Sequence, residues 1–176
     1  YKYYLTKNYK IFAVSKYTKK ILLHYFRNNL ISNKVKVVYN GFSKDKLKLY
    51  NKSFIKKIPK KKILISCVAN AVPRKNIVFL IELFRELNIK HPNKYYLFIA
   101  GGFGPDTNKI KYFINHYGLK NNISFKQNLL NSEISSLLKS SKFFCLFSKE
   151  INREFEGFGI VFLEAMFTKN IIISSK

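Results

Sequence analysis

The feature that most constrains this fold is an alternation of short apolar runs with helix-like segments, which starts at residue 63 and continues to the end of the chain. The apolar runs are continuous, a pattern typical of strands that are buried on both faces in a parallel sheet. Strands are predicted at 63–68, 95–100, 123–125, 143–147 and 171–173, and helices at 76–90, 107–117, 132–138 (with Ser132 as N-cap) and 160–167. Such βαβ units predict an α/β fold, a Rossmann-like doubly wound parallel sheet with helices on both faces.

The part of the chain before residue 63 has a different pattern and predicts the tail of another domain. Residues 10–15 and 35–38 predict short strands, residues 18–30 predict a helix, and Asn40-Gly41 predicts a turn. Residues 41–62 are basic and aperiodic. The expected division is therefore 1–40, the end of an N-terminal domain with its connection; 41–62, a basic linker; and 63–176, the Rossmann-like domain, incomplete at its C-terminus. Because the chain begins without an initiator Met and stops directly after a strand, we expect it to be part of a longer protein.

The charge of the chain is strongly positive, with 33 basic and 9 acidic residues and a formal net charge of +24. Such a charge suits nucleic acid or an anionic membrane. However, only four of the basic residues are arginine, and Lys, Asn, Ile, Phe and Tyr share A/T-rich codons, so genome composition accounts for the lysines. Nucleic-acid binding would need stacking aromatics interleaved with Arg, whereas Tyr and Phe mostly occupy core-like positions here. We expect no nucleic-acid partner, and a basic binding protein without catalysis is the alternative.

Cysteines, histidines and hydropathy limit the compartment and the cofactors. Cys67 and Cys145 fall inside predicted strands, which favours buried thiols in a reducing compartment. His24, His91 and His116 are scattered, so no metal and no cofactor are expected. No apolar run approaches the roughly 18–20 residues that a membrane span needs. A cytoplasmic location is predicted, with peripheral membrane contact through the lysines of residues 56–62 as a further option.

Chemistry-bearing residues follow the predicted strands. In a doubly wound sheet ligands bind beyond the carboxyl ends of the strands. Arg74 and Lys75 follow the first of these strands at the start of a helix, where cations are locally unfavourable unless an anion is bound. Gly101 and Gly102 follow the second strand and would let a ligand approach the backbone closely. Basic side chains and a glycine loop at one sheet edge are what a phosphate-linked ligand needs.

Glu156 and Glu164 lie eight positions apart, with Gly157-Phe158-Gly159 between them, directly before and within the predicted helix 160–167. Backbone N–H groups at such a helix start attract an anion, and Glu164 can accept hydrogen bonds from a neutral polyol. From the residues alone, an ordinary loop that leads into a core helix is about equally plausible. The two carboxylates make a phosphate-linked polyol the preferred ligand class.

The linked motifs resemble those of one family. Glu156-Gly157-Phe158-Gly159 through Glu164-Ala165 looks like the Glu-x7-Glu signature of retaining glycosyltransferases of the GT-B fold, family 4 (glycosyl transferases group 1), mainly their C-terminal donor-binding domain. Residues 12–16 resemble the last strand of the family's N-terminal acceptor domain, and residues 37–42 resemble its entry into the C-terminal domain. Residues 73–76 resemble the phosphate-binding loop, and residues 100–104 the "G-x-G" turn. The motifs occur in the family's order over nearly the whole chain.

The resemblance implies specific roles. Lys75, with Arg74, would bind the diphosphate of a nucleotide-sugar donor, and Glu156 with Phe158 and Gly159 would bind the transferred sugar and a phosphate. Glu164 would bind the ribose hydroxyls, while Gly101 and Gly102 would lie next to the donor. The catalytic residues would be Glu156, which is not assumed to be a covalent nucleophile, and Lys75.

The family transfers sugars with retention to a glycan or a lipid-linked acceptor, as in polysaccharide biosynthesis, usually without a metal. Residues 1–176 alone are expected to bind donor and not to turn over. The family often has an arginine directly after the first strand of this domain, where this chain has Ala69-Asn70, so Arg74 would have to replace it. A GT-B nucleotide-sugar epimerase is the alternative within the fold, although the additional catalytic carboxylates and histidines that it would need are not evident.

Overall fold

The computed structural model describes residues 10–26, 33–152 and 154–175. Its contacts divide the chain into two compact units. The first contains the described residues of Tyr1–Phe42 together with Glu156–Ile160, and the second contains those of Ser43–Phe155 and Val161–Lys176. The segment 156–160 therefore has most of its contacts with the N-terminal part of the chain, although it lies far along the sequence.

The first unit contains a pair of parallel strands and one helix. Strand β1 (Ile11–Ala13) pairs with β2 (Val35–Val37), and helix α1 (Lys16–Phe26) lies between them in sequence. Ser15 begins the helix, because its Oγ accepts a hydrogen bond from the N–H of Thr18 at 2.9 Å. All three elements were predicted, although residues 27–30 of the predicted helix lie outside the described residues.

Residues 43–62, which make up most of the basic linker predicted at 41–62, are a folded part of the second unit, and this differs from the expectation. They contain helix α2 (Lys44–Lys48) and helix α3 (Lys52–Ile55). Leu47, Phe54 and Ile58 are buried, and the lysines around them are exposed. The sequence pattern missed this because three widely spaced apolar anchors among lysines have no helical period.

The second unit is built on a five-stranded sheet in which every pair of neighbouring strands is parallel. Its strands are β3 (Ile63–Val68), β4 (Tyr95–Gly101), β5 (Ile123–Gln127), β6 (Phe143–Leu146) and β7 (Ile171–Ser174), in the order β5-β4-β3-β6-β7. Helices α4 (Ile77–Lys90), α5 (Thr107–His116), α6 (Asn131–Ser140) and α7 (Ile160–Phe167) connect them. The doubly wound α/β prediction is confirmed.

Helix α6 begins earlier than predicted. Its N-cap is Leu130, and the carboxylate of Glu133 accepts a hydrogen bond from the Leu130 N–H at 2.9 Å. Ser132 is therefore not the cap; its carbonyl instead accepts a hydrogen bond from the Ser136 hydroxyl inside the helix. In a capping box the glutamate at the third helical position accepts a hydrogen bond from the N-cap N–H, and Glu133 makes that bond here although the N-cap residue is not a serine.

The strand order reverses at β3. From β3 the chain moves outward to β4 and β5, then returns to place β6 and β7 on the other side. The carboxyl ends of β3 and β6 therefore flank the reversal, which is the position where doubly wound sheets bind ligands. The loops that leave these two strands are 69–76 and 147–159.

Candidate functional site

The loop after β3 presents two basic side chains at the reversal of strand order. Pro73–Lys75 forms a 3-10 turn that places Arg74 and Lys75 at partly buried positions. Asn76 then adopts a left-handed conformation (φ 52°) before helix α4 begins at Ile77. Asn tolerates this conformation better than other side chains, so the sharp turn is encoded locally. Arg74 and Lys75 are thus fixed at the end of the central strand.

The loops on either side of the reversal are joined through their backbones. The N–H of Lys149, in the loop after β6, donates to the carbonyl of Arg74 at 2.8 Å. The loop after β3 is therefore braced from the β6 side. This contact gives the backbone of Lys149 a structural role that the sequence did not indicate.

The ammonium of Lys75 affects the pKa of Cys67, the second-last residue of β3. Burial raises the pKa of the Cys67 thiol to about 12, and the neighbouring Cys145 also raises it, whereas the Lys75 ammonium lowers it. Both cysteines are buried and reduced, as predicted, and burial likewise raises the pKa of Cys145 to about 12. At neutral pH both groups are therefore neutral thiols and add no charge to that of the basic pair at this end of β3.

The glycines at the end of β4 and directly after it make room for the loop after β3. A Cβ on Gly101 would lie 1.8 Å from the carbonyl oxygen of Ala69, and one on Gly104 would lie 2.2 Å from that of Ala71. A Cβ on Gly102 would lie 2.8 Å from Oδ1 of Asn70. Glycine is therefore needed at these positions because the backbone here packs directly against the loop after β3.

Three polar side chains that sequence reasoning missed fix this glycine loop. Asn70 Oδ1 accepts a hydrogen bond from the Gly102 N–H at 3.1 Å, so the residue that stands where the family often has arginine is committed to the loop. Gln127, at the end of β5, donates to the Gly102 carbonyl at 3.4 Å and to the Thr107 hydroxyl at 3.3 Å. Thr107 in turn accepts from the Gly104 N–H at 3.2 Å. Their positions at strand and helix ends were the only sequence signal.

Glu164 lies in helix α7 at a half-buried position, close to helix α2. Burial raises the pKa of its carboxyl above the ordinary value of 4.5, and the ammonium of Lys46 in α2 lowers it. The ammonium of Lys44 lies 5.6 Å from the centre of the Phe167 ring, a second contact between α2 and α7. Lys46 was missed because residues 41–62 were interpreted as a linker.

Glu156, Phe158 and Gly159 lie in the first unit. The Thr18 hydroxyl donates to the carbonyl of Gly157 at 3.2 Å, and the rings of Phe158 and Tyr39 are 6.1 Å apart at their centroids. Gly159 is buried and has φ 72°, a left-handed conformation that favours glycine, directly before α7 begins. The side chains of Glu156 and Phe158 are both half-buried.

The predicted site residues thus fall into two groups. One group lies at the carboxyl ends of the neighbouring strands β3 and β4 in the second unit, which also contains Glu164. It consists of Arg74, Lys75, Gly101 and Gly102. The other group consists of Glu156, Phe158 and Gly159. Across residues 10–26, 33–152 and 154–175 no cluster of three or more His, Cys, Asp or Glu could hold a metal ion. Within the same ranges, no helix has the length and apolar character needed to cross a membrane.

The parallel sheet with its reversed strand order defines a Rossmann-like domain of the kind that forms the C-terminal half of GT-B glycosyltransferases. The family model for glycosyl transferases group 1 matches residues 29–176, and the chain belongs to that family. Membership of glycosyl transferases group 1 and the GT-B fold, both inferred from the sequence motifs, are therefore confirmed. No curated protein matches the sequence.

Solved structures of glycosyltransferases have the same fold. A glycosyltransferase from Rickettsia africae matches with a TM-score of 0.79 and 23% identity, covering 98% of this chain and 47% of the other. HepE of Anabaena, in complex with UDP and glucose, matches with a TM-score of 0.75 and 19% identity, covering 95% and 44%. WaaG, a glycosyltransferase involved in lipopolysaccharide biosynthesis, matches with a TM-score of 0.78 and 17% identity, covering 96% of this chain and 45% of the other. The chain therefore spans less than half the length of these proteins.

Proposed function

We propose that this chain is the donor-binding part of a retaining glycosyltransferase that transfers a sugar from a nucleoside-diphosphate sugar to a glycan or lipid-linked acceptor. The observation that carries the proposal is the basic pair Arg74 and Lys75, held at the reversal of strand order in a chain of this family. Cations at this position attract a diphosphate, and two structures of the similar HepE contain UDP or UDP-glucose.

The proposed roles follow from the chemistry of each side chain. Lys75 binds the diphosphate and stabilises its negative charge as it departs, with Arg74 as a second cation. Glu156, with Phe158 and the backbone of Gly159, binds the transferred sugar and a phosphate. Neither Glu156 nor any other residue is assigned as a covalent nucleophile.

Glu164 is proposed to accept hydrogen bonds from the ribose hydroxyls. Burial raises its pKa and Lys46 opposes that rise, so the carboxyl is kept in an environment that disfavours its charge. Such perturbed groups cluster at functional sites, because a buried carboxylate gains most from a hydroxyl partner. Gly101 and Gly102 are proposed to line the donor, in addition to their packing against the loop after β3. No metal or cofactor is proposed.

The proposal is tested by thermal unfolding of residues 1–176 with UDP, GDP and ADP. A ligand at about 100 times its dissociation constant stabilises by roughly 2.7 kcal/mol, which raises the melting temperature by several degrees. We expect one diphosphate to do so, and Lys75→Ala to abolish the shift. Lys90→Ala, at the opposite end of helix α4, is the matched control and should retain it. Stabilisation that is equal in both variants would contradict the role of Lys75.

We also propose peripheral contact of the protein with an anionic membrane, at its cytoplasmic face. Because all five strands of the sheet are parallel, their starts lie at one edge, and lysines precede every one of them: Lys62, Lys94, Lys120, Lys142 and Lys169. The loop before β3 contains four more lysines: Lys56, Lys57, Lys60 and Lys61. None of the 9 acidic residues lies in the loops that precede the five strands. Each such lysine near an anionic surface contributes about 1 kcal/mol.

Sedimentation with vesicles that contain phosphatidylglycerol tests the membrane contact. The pair Lys60→Glu and Lys61→Glu should reduce the bound fraction severalfold. The same change at Lys109 and Lys111 on helix α5 alters the net charge equally and should have a smaller effect. Equal losses would show that net charge, and not this edge, causes binding.

A further inference from the structure

The start of helix α1 contains two hydroxyl side chains, those of Ser15 and Thr18, to which the proposed function assigns no role. Ser15 Oγ accepts a hydrogen bond from the Thr18 N–H at 2.9 Å and so begins the helix. The Ser15 and Thr18 hydroxyl oxygens also lie 2.9 Å apart. Thr18 is half-buried, and its hydroxyl points away from the helix toward a distant part of the chain.

That distant partner is the carbonyl of Gly157, at 3.2 Å from Thr18 Oγ1. A carbonyl can only accept, so the single hydroxyl proton of Thr18 is directed to Gly157. Ser15 must then donate its own proton to Thr18 Oγ1. The two hydroxyls form one directed chain, Ser15 to Thr18 to Gly157, that ends on the residue next to Glu156.

Further contacts join the same segment to the same unit. A Cβ on Gly157 would lie 3.5 Å from Val14 Cγ2 and 3.6 Å from Thr18 Oγ1, so the backbone of Gly157 packs on the start of helix α1. The ring of the next residue, Phe158, faces that of Tyr39. Contacts thus hold Gly157 and Phe158, and the segment 156–160 groups with the N-terminal residues as a whole.

We propose that Thr18 is a positioning residue for Glu156, acting through the carbonyl of Gly157. This deepens the proposed function and rests on it, because Glu156 is the residue assigned to the transferred sugar. The N-terminal residues would then determine how the sugar part of the donor is bound. Lys75 and Glu164 are assigned to the nucleotide part, so the inference concerns the sugar part alone.

The inference predicts a selective loss. In Thr18→Val the side chain keeps its shape but cannot donate, so Gly157 loses its partner and the position of Glu156 becomes less fixed. One lost hydrogen bond corresponds to about three- to tenfold in affinity. We expect this loss for UDP-glucose, or for GDP- or ADP-glucose if GDP or ADP is the diphosphate that binds, and little change for the diphosphate alone. A general destabilisation would weaken both ligands equally.

Calorimetric titration of the wild-type chain, Thr18→Val and Thr18→Ser with the diphosphate and its glucose ester tests this. Thr18→Ser retains the donor and should restore the ratio of the two affinities. Ser53→Ala removes an exposed hydroxyl that bonds only to Asn51 and serves as the unrelated control. An unchanged ratio in Thr18→Val, with intact nucleotide binding, would overturn the inference and leave the proposed function standing. Failure of the wild-type chain to bind any diphosphate would overturn the proposed function, and the inference with it.

Hydrogen exchange gives a second, ligand-independent test. Amides of residues 157–160 should exchange severalfold faster in Thr18→Val than in the wild-type chain and in Thr18→Ser, while amides of β3 stay unchanged. Unchanged exchange at residues 157–160 would overturn the inference even if the variant bound ligand too weakly for calorimetry. Faster exchange throughout the chain would also overturn it, because it would assign a purely structural role to Thr18.

Discussion

At the scale of single residues, Gly101 has two roles, one in packing and one proposed in donor binding. The oxygen of Ala69 occupies the space that a side chain at residue 101 would need. We predict that Gly101→Ala lowers the free energy of unfolding by about 1–3 kcal/mol or more, because backbone atoms must move to accommodate the methyl group. Gly41→Ala is the control, since a Cβ there meets no atom within 4 Å. Urea unfolding measures both, and equal stabilities would contradict the packing role.

Glu164 gives a prediction about pH. Its pKa is raised by burial, so between the ordinary value of 4.5 and the raised value the folded state binds more protons than the unfolded state. Stability therefore falls as the pH rises through this window. Glu164→Gln, which carries no charge, should make the ligand-free chain more stable than wild type at neutral pH.

The stability difference between Glu164→Gln and wild type should shrink as the pH falls below 4.5, where the carboxyl is protonated in both states. Thermal unfolding at a series of pH values measures it. A variant that is less stable than wild type at neutral pH would show that Glu164 serves the fold rather than a ligand.

Sequence reasoning found the charged and glycine residues of the candidate site but not the residues that position them. Lys75 and Glu156 are conspicuous because their charges stand at predicted loop positions. Asn70, Gln127 and Thr18 act through hydrogen bonds to backbone groups of other loops. Such partners depend on how strands and loops are placed side by side, which no local pattern encodes.

At the scale of elements, the segment of α2 and α3 is attached to the sheet domain through helix α6. The Ser135 hydroxyl lies 2.9 Å from the Leu47 carbonyl and 2.7 Å from the Leu49 carbonyl, so one proton is shared between the two. Phe54 packs against Phe98 of strand β4, with ring centroids 5.4 Å apart. These contacts attach residues 43–58 to the core of the second unit through their buried side chains.

We predict that Phe54→Ala lowers the free energy of unfolding by about 3–5 kcal/mol, as for other buried aromatic side chains. Phe103→Ala, at a residue that is 65% exposed, should cost little and is the matched control. Chemical denaturation of both variants makes the comparison. A similarly small loss of unfolding free energy in both variants would show that residues 43–58 are a linker and not part of the folded unit.

Element boundaries were predictable where burial is continuous and less so where it is not. Strand β3 and helix α7 occur at the predicted residues, because their apolar runs have clear ends. Strand β5 extends to Gln127, beyond the predicted end at Phe125, because its last two residues pair with Ala100 and Gly101. These two residues are polar, so the apolar pattern ends before the strand does. Helices α2 and α3 are five and four residues long and depend on tertiary contacts, so their sequences contain too little local signal.

At the scale of the whole molecule, family membership and the fold place this chain among glycosyltransferases, although it spans less than half the length of the similar structures. Of the residues proposed to contact the donor, Glu156 belongs to the first unit, and Lys75 and Glu164 belong to the second. Transfer by the complete protein, retention and the acceptor are part of the proposal. Beside the basic pair Arg74 and Lys75, the most specific contact proposed for this chain is that of Glu164 with the ribose hydroxyls of a nucleotide.

The most direct measurement is a calorimetric comparison of a ribonucleoside diphosphate with its 2′,3′-dideoxy analogue, for wild type and Glu164→Ala. Hydrogen bonds to a charged group are worth about 1.5–3 kcal/mol, so the wild-type chain should prefer the ribose form by roughly tenfold or more. Glu164→Ala should bind both forms with the same, weaker affinity. Equal affinities in the wild-type chain, or a preference that survives in Glu164→Ala, would contradict the assignment. Binding of neither nucleotide, together with salt-sensitive binding of an oligonucleotide, would favour a basic nucleic-acid-binding protein instead.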